Sequence, residues 1–313
     1  MISVIVPIYN GENCIKRTIQ CLQNQQFTDF EVLLINDGST DHTHDICAAA
    51  SAADSRFRLI DQPNGGVSSA RNHGLKLCRG EFVTFIDDDD ELNPEYLSAL
   101  YRAIIENDAD MSVCDVAVVE DGLETKRFTC PSGVLSQTET LNFILTRQNI
   151  NSGPCAKMFR REILDGLNFP NLKVYEDILF VVDAVCKCSR IVATNQVTYF
   201  YLQSSSSTMG NFKKMPSLDI VVASKRLLER ISARKNLSPS CLYTTLSHLM
   251  QYVQPLVNNP SQQAKLFVWE SRKLLKSQIC NILMCPAFPW KEKIVFIMFA
   301  CGWYYQNKKI LRI

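Results

Sequence analysis

The chain has 313 residues, 46% of them hydrophobic, and a formal net charge of +1, enough apolar material for one large core or a core with a smaller appendage. Near-neutrality and the absence of interleaved basic and aromatic residues leave no electrostatic field or stacking platform for nucleic acid, which is not expected as a partner. Thirteen cysteines, odd in number and irregular in spacing, exclude a disulfide framework. They read as reduced core residues, Cys21, Cys114 and Cys280 lying in apolar stretches and Cys186 and Cys188 lacking a second pair for zinc.

The chain opens Met1-Ile2-Ser3-Val4 with no basic leader or cleavage site, which predicts a cytoplasmic protein. Its first half alternates short apolar runs with helical spacing, the pattern of a mainly parallel sheet flanked by helices. Strands are expected at Ser3 to Pro7, Glu31 to Ile35, Arg58 to Ile60, Phe82 to Ile86 and Met111 to Val119. The intervening helices are expected through Ile15, Ile19 and Leu22 with Asn13 as cap, through Cys47 and Ala50 with Asp41 as cap, and from Val67 to Leu77. Turns follow at Asp121-Gly122 and Pro131-Ser132-Gly133, then helices near Glu139 to Thr146 and over Glu176 to Cys188, and a strand over Ile191 to Tyr201. From about Leu218 the pattern is helical, punctuated by prolines. The expected division is an α/β domain over 1–212 and a helical region over 213–313.

The end of the chain is an almost wholly apolar run, Ile294 to Tyr305, preceded by Trp290, Lys291 and Lys293 and followed by Lys308, Lys309 and Arg312. It is shorter than the ~20 residues needed to span a bilayer. Aromatics flanked by cations predict that 289–313 lies in the headgroup region of an anionic membrane surface. The alternative is a terminal helix docked on the protein's own core.

Asp87 to Asp90 follow the apolar run Phe82 to Ile86. Ligands of open α/β sheets bind at the carboxyl ends of strands, and clustered oxygen ligands there suit Mn²⁺ or Mg²⁺ holding a diphosphate. If the strand stays extended, Asp87 and Asp89 face one side and Asp88 and Asp90 the other. The first strand ends in Val6-Pro7-Ile8-Tyr9-Asn10. The second ends in Asn36-Asp37-Gly38-Ser39-Thr40-Asp41, where a turn and a cap account for every residue but Asp37, a carboxylate suited to a nucleobase imide. Gly65 and Gly66 open a helix with free backbone amides, and Arg71 adds a cation one turn in, a combination that suits anions. Together these features outline a nucleotide-sugar site.

In that order the four segments resemble the family 2 inverting glycosyltransferases of the glycosyltransferase-A fold, of the bacterial polysaccharide-biosynthesis type, over roughly residues 2–205. The resemblance implies that Pro7, Tyr9 and Asp37 contact the base, usually uracil, that Asp87 holds the ribose, and that Asp89 binds the metal on the diphosphate. Asn10, Arg71 and Asp88 complete the expected donor-binding set, Asp88 standing where serine is common. In Tyr175-Glu176-Asp177 the resemblance favours Asp177 as the general base that takes the acceptor proton, with Glu176 as fallback. Acidic residues that merely suit a first helical turn are the alternative. Lys157 is expected near the diphosphate or an acceptor phosphate, and Arg160 and Arg161 as solvated helix cations.

The activity implied is metal-dependent transfer from a UDP-sugar, with inversion, to a hydroxyl of a glycan carried on a lipid such as undecaprenyl diphosphate, in capsule or O-antigen synthesis at the inner face of the cell membrane. A sugar-phosphate nucleotidyltransferase is the rival enzyme, although Val6 to Gly11 lacks its glycine-rich opening loop. A sugar-nucleotide-binding scaffold without turnover is the rival of another class.

Overall fold

The computed structural model describes residues 1–203 and 217–303, and the chain divides into two compact units, Met1–Ser205 and Ser206–Ile313. The expected boundary at 212 and the tail beyond Trp303 lie outside the described residues.

The first unit opens β1 (Ile2–Ile8), α1 (Ile15–Gln23), β2 (Phe30–Asn36), α2 (Thr43–Ala53), β3 (Phe57–Asp61), α3 (Val67–Leu77) and β4 (Phe82–Phe85). β1 and β2 are buried along their whole lengths, and strands covered on both faces need continuous apolar runs rather than alternation. β1 pairs in parallel with β2 from Ile2–Phe30 to Ile8–Asn36, and with β4 from Ile2–Phe82 to Ile5–Phe85. β3 continues the parallel order on the far side of β2. Pro7 lies beyond the last β4 partner, where its missing N–H costs no pairing with that strand.

The chain therefore steps outward from β1 to β3 and then returns across both strands to β4. Right-handed crossovers place α3 on the face opposite α1 and α2. The junction of β1 and β4 is the switch point, beyond whose carboxyl ends ligands bind.

The unit continues with β5 (Glu91–Leu92), α4 (Tyr96–Asn107), β6 (Met111–Glu120), β7 (Leu123–Phe128), β8 (Gly133–Leu135), α5 (Gln137–Thr146), β9 (Lys157–Arg160), α6 (Arg161–Leu164), α7 (Glu176–Val185) and β10 (Ile191–Gln203). Among the described residues these strands complete a sheet of order β3-β2-β1-β4-β9-β6-β10-β5, with β7 on β6 and β8 on β10. The parallel order holds through β4. Beyond it the sheet is mixed: β9 is antiparallel to both β4 and β6, while β10 runs parallel to β6. Antiparallel joints need no crossover helix, and the β6–β7 hairpin closes through Asp121 and Gly122, both at positive φ, the backbone a two-residue hairpin prefers.

Helix starts depart from expectation in two places. α1 begins after Cys14 with no side-chain cap, so Asn13 does not cap it. Asp41 acts from one position before the first cap residue of α2, accepting from the Thr43 amide at 3.0 Å and from the Glu12 amide at 3.2 Å. α5 has a full capping box between Ser136 and Glu139.

The second unit holds α8 (Asp219–Ser232), α9 (Pro239–Val253), α10 (Gln262–Ser277), α11 (Ile279–Met284) and α12 (Trp290–Ala300). α12 buries Val295, Phe296, Phe299 and Ala300, with Phe296 edge-on to Phe288. Trp290, Ile294 and Trp303 stay exposed, as do Leu283 and Met284 of α11. No helix among the described residues is long and apolar enough to cross a membrane. All thirteen cysteines are free thiols and most are buried, but Cys280 is exposed rather than in a core, because α11 is short and buries only Ile282.

Candidate active site

Tyr9, 52% exposed, stands at the carboxyl end of β1. Asn10 follows with φ 52 and binds this end to the end of β2: its amide donates to Ser39 Oγ, and its side-chain oxygen accepts from the Thr40 amide at 2.8 Å. Gly38, at φ +70, is required there, since a Cβ would stand 2.8 Å from the Asn64 amide nitrogen.

Asp37 is only 3% exposed. One of its oxygens accepts from Gln62 Nε2 at 2.6 Å and the Gly65 amide at 2.9 Å, and the other from the Gly66 amide at 2.8 Å. The two glycine amides expected to be free are thus bound to Asp37, because a buried carboxylate at the head of a helix draws the nearest unpaired donors. A carboxylate has about four acceptor positions, so Asp37 keeps one. Gln62, which sequence patterning does not single out, is itself held by His73 Nδ1 at 2.8 Å.

Arg71 is 5% exposed in α3. Nη2 donates to Asp87 Oδ1 at 2.8 Å and Nη1 to Glu176 Oε1 at 3.1 Å, with the guanidinium over the Phe169 ring. Expected to present its charge to a ligand anion, it is instead paired with two carboxylates of the chain, as a buried cation must be. This bridge brings together three segments distant in sequence: the first turns of α3, the end of β4 and the start of α7. Other residues of α3 support it. Asn72 exchanges two hydrogen bonds with the Phe169 backbone, and Ser68 donates to the Pro170 carbonyl. Phe169 then stacks on Phe180 of α7 at 3.8 Å.

The four aspartates do not continue the strand. β4 stops at Phe85, and the Asp90 amide turns back to the Asp87 carbonyl at 3.3 Å, so side-chain alternation does not apply. Thr18 Oγ1 donates to the Asp88 and Asp90 carbonyls and Arg17 Nη2 to the Asp89 carbonyl, so α1 fixes the turn. Asp88 presses against the β1–α1 loop, where a Cβ on Gly11 would stand 2.4 Å from its Oδ2. It is not brought to Arg71. Asp90, 1% exposed, accepts from Tyr199 Oη and from the Leu202 amide and so ties the turn to β10.

Neither Asp88 nor Asp89 takes a hydrogen bond at its carboxylate from another described residue, and of the two Asp88 is the one turned to the β1–α1 loop. Burial and the neighbouring Asp87 push Asp89 up to about 6. Burial, Asp89 and Asp87 push Asp88 up to about 8. Crowding of this kind fits a cation held by one or two carboxylates, with a diphosphate completing the shell. No group of three or more His, Cys, Asp or Glu among the described residues forms a complete metal cage.

α7 starts after Tyr175 in the left-handed region, φ 62. Glu176 is buried and bound to Arg71, and burial, then the charge of Asp177, push it up to about 7 against the pull of that arginine. Asp177 is half-buried, and its Oδ1 accepts from the Ile178 amide at 2.7 Å. Lys157 does not reach toward a phosphate. It is fully buried, its ammonium enclosed by chain oxygens. Arg160 belongs to β9, not a helix, and is paired with Glu81 and Asp108.

The family model described as Glycosyl transferase family 2 matches residues 3–167, more than half of the chain. The chain belongs to glycosyltransferase family 2. It is 29% identical over 250 residues to glycosyltransferase GlyG of Streptococcus pneumoniae, spanning 76% of this chain and 83% of that one. Three other curated relatives are longer, and the chain spans 62% to 64% of them. TarS 1–349 of S. aureus, solved in complex with UDP, superposes with a TM-score of 0.73 over 97% of this chain and 88% of that chain, at 21% identity. A mannosyltransferase of Pyrobaculum calidifontis solved with GDP-Man and Mn²⁺ gives 0.55 over 98% and 88%, at 16% identity. These likenesses establish the glycosyltransferase-A fold for this family 2 glycosyltransferase.

Proposed function

We propose that this glycosyltransferase moves a sugar from a UDP-linked donor to a hydroxyl of a glycan acceptor, with inversion and with Mn²⁺ or Mg²⁺. The observation that carries the reading is the Arg71 bridge, which sets the acidic turn after β4 and the acidic start of α7 on one side chain at the switch point. TarS, solved with UDP, and the mannosyltransferase, solved with Mn²⁺, support the donor and the metal.

The base enters between Tyr9, whose exposed ring offers a stacking face, and Asp37, whose remaining acceptor position suits an imide N–H. Pro7 and Asn10 shape the floor beneath it. Asp87 is oriented by Arg71 toward the ribose, and Asp89 is the carboxylate open to the metal. The metal supplies positive charge for the departing diphosphate. Asp177 takes the proton from the attacking hydroxyl, and Glu176, tied to Arg71, is its neighbour rather than its substitute. Asp88, turned to the β1–α1 loop, supports the turn from behind. In direct displacement at the anomeric carbon the acceptor C–O bond forms as the sugar–diphosphate bond breaks, and UDP carries away the electron pair. We place the acceptor on a carrier lipid such as undecaprenyl diphosphate, at the cytoplasmic face of the membrane, on the strength of the exposed Trp290, Ile294 and Met284 with adjacent lysines.

UDP release across UDP-glucose, UDP-galactose, their N-acetylamino forms and a guanosine-linked control identifies the donor. With that donor, Asp89→Asn is expected to abolish Mn²⁺-supported UDP binding. Asp177→Asn is expected to retain binding and lose roughly a hundredfold or more in turnover. Equal loss of UDP binding in both variants would refute these roles.

A further inference from the structure

The buried lysine of β9 has no part in the chemistry so far. Lys157 Nζ donates to the Asn151 carbonyl at 2.8 Å, to Asn151 Oδ1 and to the Gly153 carbonyl at 2.7 Å, and lies 3.3 Å from the Cys155 carbonyl. An ammonium has three protons, and here four oxygens of one loop share them. That loop follows no regular pattern. Asn149 and Ala156, on either side of it, hold φ values of 58 and 59, conformations that cost non-glycine residues energy and persist only where surroundings enforce them. The carbonyls of Asn151, Gly153 and Cys155 converge on the ammonium, a convergence that would be unfavourable without a cation at the centre.

The loop also lies against the proposed base. A Cβ on Gly153 would stand 3.5 Å from Asp177 Oδ2, with Asn151 Nδ2 next at 3.9 Å and nothing closer. At the end of α5, just before the loop, the Arg147 guanidinium sits over the ring of Tyr175, the residue before α7, at 5.1 Å. Sheet, loop and helix start are therefore linked: β9 is held between β4 and β6, its lysine gathers 151–155, and that loop faces Asp177.

We infer that Lys157 is a positioning residue whose ammonium folds 151–155 into the wall of the acceptor site beside Asp177. The inference rests on the reading of Asp177 as the base. Lys157 itself touches no substrate, and it acts by fixing where the nucleophilic oxygen can approach.

The test uses Lys157→Met, Asn151→Ala and Gly153→Ala in the full chain, with water as acceptor and the UDP-sugar that wild type hydrolyses fastest. Lys157→Met is expected to speed amide hydrogen exchange across 151–155 while leaving β1 to β4 protected, and to lower kcat about tenfold to a hundredfold with donor KM within about twofold. Asn151→Ala, which removes one acceptor of four, shows the same split more weakly and serves if the lysine variant does not fold. Gly153→Ala meets only ordinary contacts, so it is expected to keep melting temperature and UDP affinity while lowering kcat. Unchanged kcat in all three, or donor KM rising in step with the loss of kcat, overturns the inference. Full hydrolysis by Asp177→Asn would instead overturn the reading on which it rests.

Discussion

At the scale of single residues, the site is governed by how crowded anions are compensated. Asp37 takes three donors from the β3–α3 loop and keeps one acceptor position, Asp87 and Glu176 share one guanidinium, and Asp90 is taken by Tyr199. Asp88 and Asp89 are left without such partners; burial and the charges of Asp89 and Asp87 raise Asp88 to about 8, and burial and the charge of Asp87 raise Asp89 to about 6, both from 3.8. Between the unfolded and folded values the native state binds more protons than the unfolded chain, so stability falls as pH rises through that window. The metal-free protein is accordingly expected to melt at lower temperature at about pH 8 than at about pH 5, and Mn²⁺ added at the higher pH should restore part of the loss. A melting temperature indifferent to Mn²⁺ at about pH 8 would count against Asp89 as a ligand.

Elements explain which expectations held. Strands and helices with long apolar periods appear where the sequence places them, α3 with the same limits and β1 and β2 within a residue or two. The acidic run departs from the expected extended course because chain direction after β4 depends on anchors far away, Thr18 and Arg17 on α1 and Tyr199 on β10. Short strands such as β5, β8 and β9 carry too few residues for a period to show, and only pairing with β4, β6 and β10 defines them. Local signals are strongest at caps. In α5, Ser136 accepts from the Glu139 amide while Glu139 returns a bond to the Ser136 amide. Ser136→Ala is expected to cost about 1 kcal/mol in urea unfolding, without effect on UDP binding, since α5 supplies none of the proposed donor contacts.

On the scale of the whole molecule, the second unit carries the membrane proposal. Phe296 and Phe299 are buried in its helices, so cutting the chain before Pro289 would remove core as well as tail and confuse the two effects. Trp290→Asp with Ile294→Asp alters only exposed positions. That double variant should keep its fold and lose flotation with liposomes containing phosphatidylglycerol. Retained flotation would move any lipid contact away from this face.

Composition and spacing were sufficient for the α/β pattern and the carboxylates at strand ends, because burial on both faces forces continuous apolar strands and ligand sites gather where those strands stop; the family came from the likeness of the four motif segments, not from pattern. Tertiary structure alone assigned partners. Which anion meets which cation depends on distances between segments a hundred residues apart, as Arg71 to Glu176 shows, and no local pattern encodes them. For the same reason Lys157, expected from the sequence near a phosphate, becomes the centre of a loop only once β9 lies between β4 and β6.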